Sequence, residues 1–237
     1  MKKRLGVIGG MGAKAGADFV SRIADRTVAN SDAEHIDVVL LNRTSVPDRT
    51  IAIRDGTFYE KVQPALLQCV RELETLNVGN IVIACNTAHY GIQELQSQTK
   101  VQIINILDEA AKRVKELSTS TRPRVGIMAT DGTLGSGVYH SALEAHGLTP
   151  VSPSAEIQKQ IMHIIYDQVK KSGTLDVKLF AEACTSFIES EKLDFLLLGC
   201  TELSLFSSVM TIPDNYVDAL EILAEVAIAK SGYQYKN

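Results

Sequence analysis

The sequence predicts an α/β protein built from two similar three-layer α/β/α domains, each with helices covering both faces of a mainly parallel sheet. Short apolar runs of strand type alternate with stretches of helical periodicity along the chain. Few polar residues interrupt these runs, as is typical of parallel strands buried on both faces. The order strand, small-residue turn, helix, strand, helix, strand, cysteine occurs twice, which predicts two domains related by a pseudo-twofold axis.

The first copy opens on Leu5–Ile8, an apolar run that enters the glycine-rich turn Gly9–Gly12. Backbone N–H groups in such a turn can approach an anion, although the spacing is not the dinucleotide fingerprint G-x-G-x-x-G. Apolar periodicity and breaker residues predict the other elements. We expect strands at 5–8, 36–41, 81–84 and 101–104, and helices at 17–28, 60–76, 88–96 and 108–117.

The second copy repeats this order 115 to 120 residues later. Val125–Met128 resembles Leu5–Ile8 and is followed by another turn of small residues. We expect strands at 125–130, 196–199 and 210–212, and helices at 155–169 and 218–230.

Each copy contains a strand-type run that stops at a cysteine, Cys85 in the first and Cys200 in the second. Each lies sixteen residues after an earlier cysteine, Cys69 or Cys184, for which packing in the core is the expected role. Ligands of open α/β sheets bind at the carboxyl ends of strands, where helix N–H groups stabilise anions. A pseudo-twofold pair of such sheets would present both thiols to one cleft between the domains.

Two thiols at such positions predict acid–base chemistry. A helix amino end can lower the pKa of a thiol toward neutrality, which makes the thiol a usable base. If one thiolate removes a proton from a bound molecule and the other thiol returns a proton on the opposite face, a stereocentre is inverted. Three alternatives stay open at this point: cysteines that only pack, a redox pair, and a module that binds a small anion without catalysis.

Composition narrows the class of protein. The chain has 237 residues, 45% of them hydrophobic and 22% charged, as in ordinary globular proteins. A net charge of −4 argues against nucleic acid or an anionic membrane as a partner. No apolar run approaches the length of about eighteen residues that spans a membrane, and the basic start at 1–4 is not followed by an export segment. We therefore expect a cytoplasmic protein.

The same residues argue against bound groups. The four cysteines are expected to be free thiols in a reducing compartment, and the five histidines do not cluster with them at the spacing of a zinc site. No lysine lies in a recognisable pyridoxal phosphate context. We expect no metal and no cofactor.

Six motifs together resemble the aspartate/glutamate racemase family, and specifically its aspartate racemase branch. They are Gly9-Gly10-Met11-Gly12, Pro47-Asp48-Arg49-Thr50, Cys85-Asn86-Thr87-Ala88-His89, Ala129-Thr130 with Gly132-Thr133, Ser136-Gly137-Val138-Tyr139, and Gly199-Cys200-Thr201-Glu202. Glutamate racemases usually carry histidine where this chain has Glu202, and an acidic residue in the amino-terminal turn. Both differences favour the aspartate branch.

The resemblance implies an isomerase that interconverts L- and D-aspartate without a cofactor, with Cys85 and Cys200 as the paired acid and base. It also implies a homodimer, and a last helix that returns to the first domain. On this basis we expect the first domain at 1–99 plus 213–237 and the second at 100–212.

The resemblance further implies a set of substrate contacts. The residues expected to hold the α-carboxylate and amino group are Asn86, Thr87 and Thr201, with the backbone at Met11. Arg49 and Lys159 resemble the family's cationic pair for substrate carboxylates. Glu202 is expected among the substrate contacts, where it would orient or repel charge near Cys200, with a plain carboxylate at a helix start as the alternative. His89 is expected in a structural role rather than as a helper base.

Two departures from the family pattern bear on the substrate. Ala13–Gly16 stands where proline and threonine are common, and Asp131 stands where threonine is common. A racemase of glutamate or of a broader amino-acid set, or a related isomerase, is therefore kept as an alternative. Outside enzymes, the alternative is a protein that binds small acidic ligands.

Overall fold

The computed structural model describes residues 2–236, which form two compact units. One unit comprises the chain up to Ile106 and again from Leu220 onward, and the other comprises Leu107–Ala219. The two crossings, where the chain passes from one unit to the other, lie later in the sequence than the expected domain limits. The reason is strand pairing, because the fourth strand of each sheet precedes the crossing and stays with its own sheet.

Regular elements follow one another in the order of the predicted repeat. The strands in residues 2–236 are β1 (Leu5–Gly9), β2 (Val38–Asn42), β3 (Asn80–Ile83), β4 (Gln102–Ile104), β5 (Arg124–Met128), β6 (Thr149–Val151), β7 (Phe195–Leu198) and β8 (Tyr216–Asp218). The α-helices are α1 (Ala13–Arg26), α2 (Arg49–Arg54), α3 (Gln63–Thr75), α4 (Ile92–Ser97), α5 (Ile106–Leu117), α6 (Asp131–Gly135), α7 (Val138–Ala145), α8 (Ala155–Met162), α9 (Val177–Glu191), α10 (Thr201–Ser204) and α11 (Ala219–Lys230). Short 3-10 turns occur at Asp32–Glu34, Thr87–Gly91 and Leu205–Ser208, and π-helical segments at Phe58–Val62 and His163–Lys170.

The two sheets have the same topology. The first has the strand order β2-β1-β3-β4 and the second β6-β5-β7-β8, with every neighbouring pair parallel. In both sheets the strand that precedes the cysteine, β3 or β7, pairs with the opening strand of its copy. The predicted α/β class with two parallel sheets is confirmed.

Burial explains why the strand-type runs lack alternation. Every residue of β1 and β3 is buried, so both faces of these central strands are covered. The core of the first unit contains Phe58 and Leu66, and that of the second contains Phe180 stacked on Phe206 with ring centroids 4.1 Å apart. Cys69 and Cys184 belong to these two cores, which is the packing role expected for them.

The expected strand at 210–212 is wrong. This segment is irregular, and the strand that pairs with β7 is β8, which lies beyond Pro213. A turn at residues 214–215 follows the proline, and Leu196 N donates to the Asn215 carbonyl at the start of the pairing. The apolar character of 210–212 reflects Met210, which packs against the core of the second unit rather than joining its sheet.

Two long helices of the prediction are irregular. The helix expected at 60–76 starts as a π-helical segment and continues as α3, and the helix expected at 155–169 is α8 followed by a longer π-helical segment. The wider π turn shifts the faces that later residues present. Within residues 2–236, no helix combines the length and apolar character needed to cross a bilayer.

Candidate functional site

Both cysteines leave their sheets through the same backbone arrangement. In the first unit Ala84 N donates to the carbonyl of Ile8 at 2.9 Å, one residue before Cys85. In the second unit Gly199 N donates to the carbonyl of Met128 at 2.8 Å, one residue before Cys200. The two thiols therefore lie at equivalent carboxyl ends of β3 and β7. Both cysteines are free and buried, with 4% of Cys85 and 6% of Cys200 exposed.

Small polar residues follow each cysteine as predicted. Asn86 precedes the 3-10 turn Thr87–Gly91, and both Asn86 and Thr87 are buried. In the second unit Cys200 is the N-cap of α10, and Thr201 is its buried first residue. The element after each cysteine is short but continues into a second one, because Thr87–Gly91 is followed directly by α4 and α10 is followed directly by the 3-10 turn Leu205–Ser208.

The glycine-rich turn brings Met11 and Arg49 together. Gly10 has φ +92°, and a Cβ at this position would lie 2.3 Å from the carbonyl carbon of Arg43, so only glycine fits. Arg49 is buried at the start of α2 and donates from Nη2 to the Met11 carbonyl at 2.8 Å and from Nη1 to the Pro47 carbonyl at 3.0 Å. Arg49 thus braces the turn that precedes α1.

A buried carboxylate lies against Cys200. The thiol donates to Glu202 Oε2 at 2.9 Å, and Thr201 Oγ1 donates to the same oxygen at 3.3 Å. Glu202 is 3% exposed, and its Oε1 lies 3.7 Å from Nζ of Lys170. Lys170 also lies over the ring of Tyr166, 4.6 Å from its centroid. Glu202, a substrate contact in the sequence prediction, thus forms a hydrogen bond with the Cys200 thiol in the structure.

The electrostatics of this cluster hold Cys200 in its protonated form. Burial raises the pKa of the Cys200 thiol well above its ordinary value, and the negative charge of Glu202 raises it further, while Lys170 opposes the rise. The pKa of Cys200 thus moves in the direction opposite to the lowering that a helix amino end can produce. Removal of the thiol from water and the adjacent carboxylate outweigh the dipole of a four-residue helix.

The chain is similar to known proteins along almost its whole length. The family model for Asp/Glu/hydantoin racemases matches residues 8–227, which includes both cysteine loops. The chain belongs to this racemase family. An aspartate racemase from Picrophilus torridus is 30% identical, with a TM-score of 0.82 over 99% of this chain and 96% of that one.

Relatives found by sequence alone are more distant from this chain. A glutamate racemase of Oceanobacillus iheyensis is 27% identical over 155 residues, which is 64% of this chain and 54% of the relative. A broad-specificity amino-acid racemase of Bacillus subtilis is 25% identical over 147 residues, which is 60% of this chain and 61% of the relative. The chain thus matches little more than half the length of these two relatives.

The cation that the structure places at the Cys200 loop is Lys170, which the sequence reasoning missed. Lys159, the predicted cation, is exposed on α8. The prediction of Lys159 rested on the family resemblance. Lys159 precedes Tyr166 in the sequence, whereas Lys170 follows it by four residues, a spacing that places the Tyr166 and Lys170 side chains on one helical face. That spacing is the signal that could have found Lys170.

The structure also accounts for the two departures from the family pattern. Asp131 accepts a hydrogen bond from Gln158 Nε2 at 2.7 Å, and the same amide donates to the Ala129 carbonyl at 3.0 Å. Gly16 packs against Asn42, because a Cβ on Gly16 would lie 2.6 Å from Asn42 Oδ1. Gly16 therefore allows α1 to approach the end of β2, while Lys14 is exposed.

In residues 2–236, no cluster of three or more histidine, cysteine, aspartate and glutamate side chains is placed to hold a metal ion.

We expect Glu202→Gln to increase the rate at which iodoacetamide alkylates Cys200 near neutral pH. The substitution removes a negative charge that opposes ionisation, and a rise of about tenfold corresponds to the loss of roughly 1.4 kcal/mol of repulsion. Lys170→Met should slow alkylation of the same thiol. Peptide mass spectrometry over a pH series measures both effects. The control is Glu182→Gln, which removes an exposed carboxylate of α9, and an unchanged Cys200 rate in Glu202→Gln would contradict this account.

Proposed function

We propose that this racemase-family protein interconverts L- and D-aspartate without a cofactor, using Cys85 and Cys200 as two bases. The observation that carries the proposal is the equivalent placement of two free thiols at the ends of β3 and β7 in two sheets of the same topology. The likeness to an aspartate racemase over 99% of the chain supports the choice of substrate.

The proposed reaction moves two protons and leaves the net charge of the protein unchanged. The Cys85 thiolate takes the proton from the α-carbon, forming its own S–H bond and leaving an electron pair that is shared with the α-carboxylate. Cys200, which is protonated in the free protein, then forms the new C–H bond on the opposite face. The product is the other enantiomer, with the thiolate now on Cys200. The reverse reaction starts from that form.

The substrate contacts proposed from the sequence keep their roles in this scheme. Met11, Asn86, Thr87 and Thr201 hold the α-carboxylate and amino group, and Arg49 and Lys159 attract the carboxylates. Lys170 has a different role from these substrate contacts. Its positive charge offsets the charge of Glu202 when Cys200 becomes a thiolate. Glu202 then has two parts in the cycle, since it accepts a hydrogen bond from the Cys200 thiol at rest and destabilises the thiolate after proton transfer.

The test is solvent exchange at the α-carbon. L-Aspartate is incubated with the protein in heavy water without added cofactor, and proton NMR follows the α-hydrogen while chiral chromatography follows D-aspartate. We expect deuterium to enter as D-aspartate forms. Calorimetric binding of aspartate without any exchange would identify an acidic-ligand binding protein instead.

Glutamate is the second candidate substrate, because a glutamate racemase is among the relatives of this chain. Rates on aspartate, glutamate and neutral amino acids in the same assay separate an aspartate racemase from a broader enzyme. A homodimer in the cytoplasm remains part of the proposal, and light scattering after gel filtration tests the dimer.

A further inference from the structure

His89 connects the Cys85 loop to the segment through which the chain leaves the first unit. It is 1% exposed and lies four residues after Cys85. Its Nδ1 lies 2.9 Å from the Cys85 carbonyl oxygen, and Ile106 N donates to its Nε2 at 3.4 Å. Ile106 is the last residue of the first unit and the first residue of α5.

Both ring nitrogens of His89 contact backbone atoms. A contact of 2.9 Å with a carbonyl requires a proton on Nδ1, which leaves Nε2 as the acceptor for Ile106. Burial lowers the pKa of His89 to about 4, although the carbonyls of Cys85 and Ile104 favour the charged ring. The neutral imidazole therefore contacts the backbone of Cys85 rather than its sulfur.

Ser204 occupies the matching position in the second unit. It lies four residues after Cys200, is 1% exposed and ends α10. Its Oγ donates to Asp218 Oδ1 at 2.5 Å. Asp218 is the last residue of β8, immediately before Ala219, where the second unit ends and α11 begins. The two copies thus use different side chains for a link between the same two places.

We infer that His89 and Ser204 are positioning residues, each of which ties its cysteine loop to the point where the chain leaves that unit. Two observations carry the inference: the shared position four residues after the cysteine, and the shared location of the partner at the crossing. The two units use different side chains to link the same two places, which indicates that each cysteine loop must be held in position. The kinetic consequence rests on the proposed racemisation, whereas the effect on the loops does not.

The experiment measures the alkylation rate of each cysteine by peptide mass spectrometry. We expect His89→Ala to increase the rate at Cys85 by about tenfold, the factor for roughly 1.4 kcal/mol of local opening, with Cys200 unchanged. Ser204→Ala should affect Cys200 and leave Cys85 unchanged. Cys69 and Cys184 report opening of the two cores, so a general loss of stability would raise their rates as well.

Two further variants separate the bonds of His89. His89→Asn keeps a donor near the Cys85 carbonyl, and His89→Gln keeps an acceptor near Ile106 N. We expect each to lie between the wild type and His89→Ala in the Cys85 rate. For aspartate turnover, kcat should fall about tenfold with KM little changed, because the substrate contacts remain.

The inference fails if the Cys85 rate in His89→Ala is unchanged, or if it rises only together with the Cys69 rate. It also fails if Ser204→Ala leaves the Cys200 rate unchanged. Alkylation needs no turnover, so a wild-type protein without racemase activity but with this pattern of rates would overturn the proposed function and leave the positioning role supported.

Discussion

Cys85→Ala and Cys200→Ala are each expected to lower the interconversion of L- and D-aspartate about 1,000-fold or more, the scale of a lost general acid or base. The loss applies in both directions, because each thiol is the base for one enantiomer and the acid for the other. A remaining single thiol can return a proton only to the face from which it was taken. Polarimetry or chiral chromatography from each pure enantiomer measures the effect.

The chain offers matched controls for these two variants. Cys69→Ala and Cys184→Ala remove the cysteines sixteen residues earlier, which pack in the cores of the two units. Burial raises the pKa of Cys184 to about 12, so this thiol stays protonated and unreactive near neutral pH. These controls should keep near-native rates at a modest loss of stability. A Cys85→Ala or Cys200→Ala protein with native rates in both directions would rule out the two-base mechanism.

Gly10→Ala is expected to lower the free energy of unfolding by about 3 kcal/mol or more, from left-handed backbone strain and from overpacking. Gly10 has φ +92°, and the new Cβ would lie 2.3 Å from the carbonyl carbon and 2.5 Å from the nitrogen of Arg43. Backbone atoms of the segment after β2 cannot rotate away as a flexible side chain does. The turn that presents Met11 to Arg49 would therefore shift, and racemase activity should fall with stability.

Gly147→Ala is the matched control, because it isolates the conformational part of this cost. Gly147 has φ +73°, but no atom lies within 4 Å of a Cβ built there. We expect a loss of about 1–2 kcal/mol from the left-handed conformation alone. Urea denaturation followed by circular dichroism compares the two variants. Equal losses would show that the contact with Arg43 carries no energetic weight.

The repeat made most of the fold predictable. Equal spacing between the cysteines and the similarity of Leu5–Ile8 to Val125–Met128 implied two copies of one topology, and the two sheets have that topology. Strands buried on both faces are recognisable as continuous apolar runs, because an alternating pattern would bury polar side chains on one of the two covered faces. The segment at 210–212 failed this reasoning, since its apolar side chain packs on the core from outside the sheet.

The candidate site was only partly predictable. The cysteines and the residues beside them follow from motifs that are continuous in the chain, as does the nearness of Glu202 to Cys200. Lys170 does not, because its distance from Glu202 depends on the π-helical segment His163–Lys170 and on how that segment packs. Local sequence patterns miss such residues, because they reach the site from a distant part of the chain.

Residue order alone established two parallel α/β copies, each with a cysteine at the end of its third strand, because periodicity and spacing are properties of the chain. The tertiary structure decided the raised pKa of Cys200, the cation beside Glu202 and the partner of His89. Each of these depends on burial or on a distance between residues far apart in sequence. A thiol's pKa is set by the water it loses and the charges it meets, and only packing determines both.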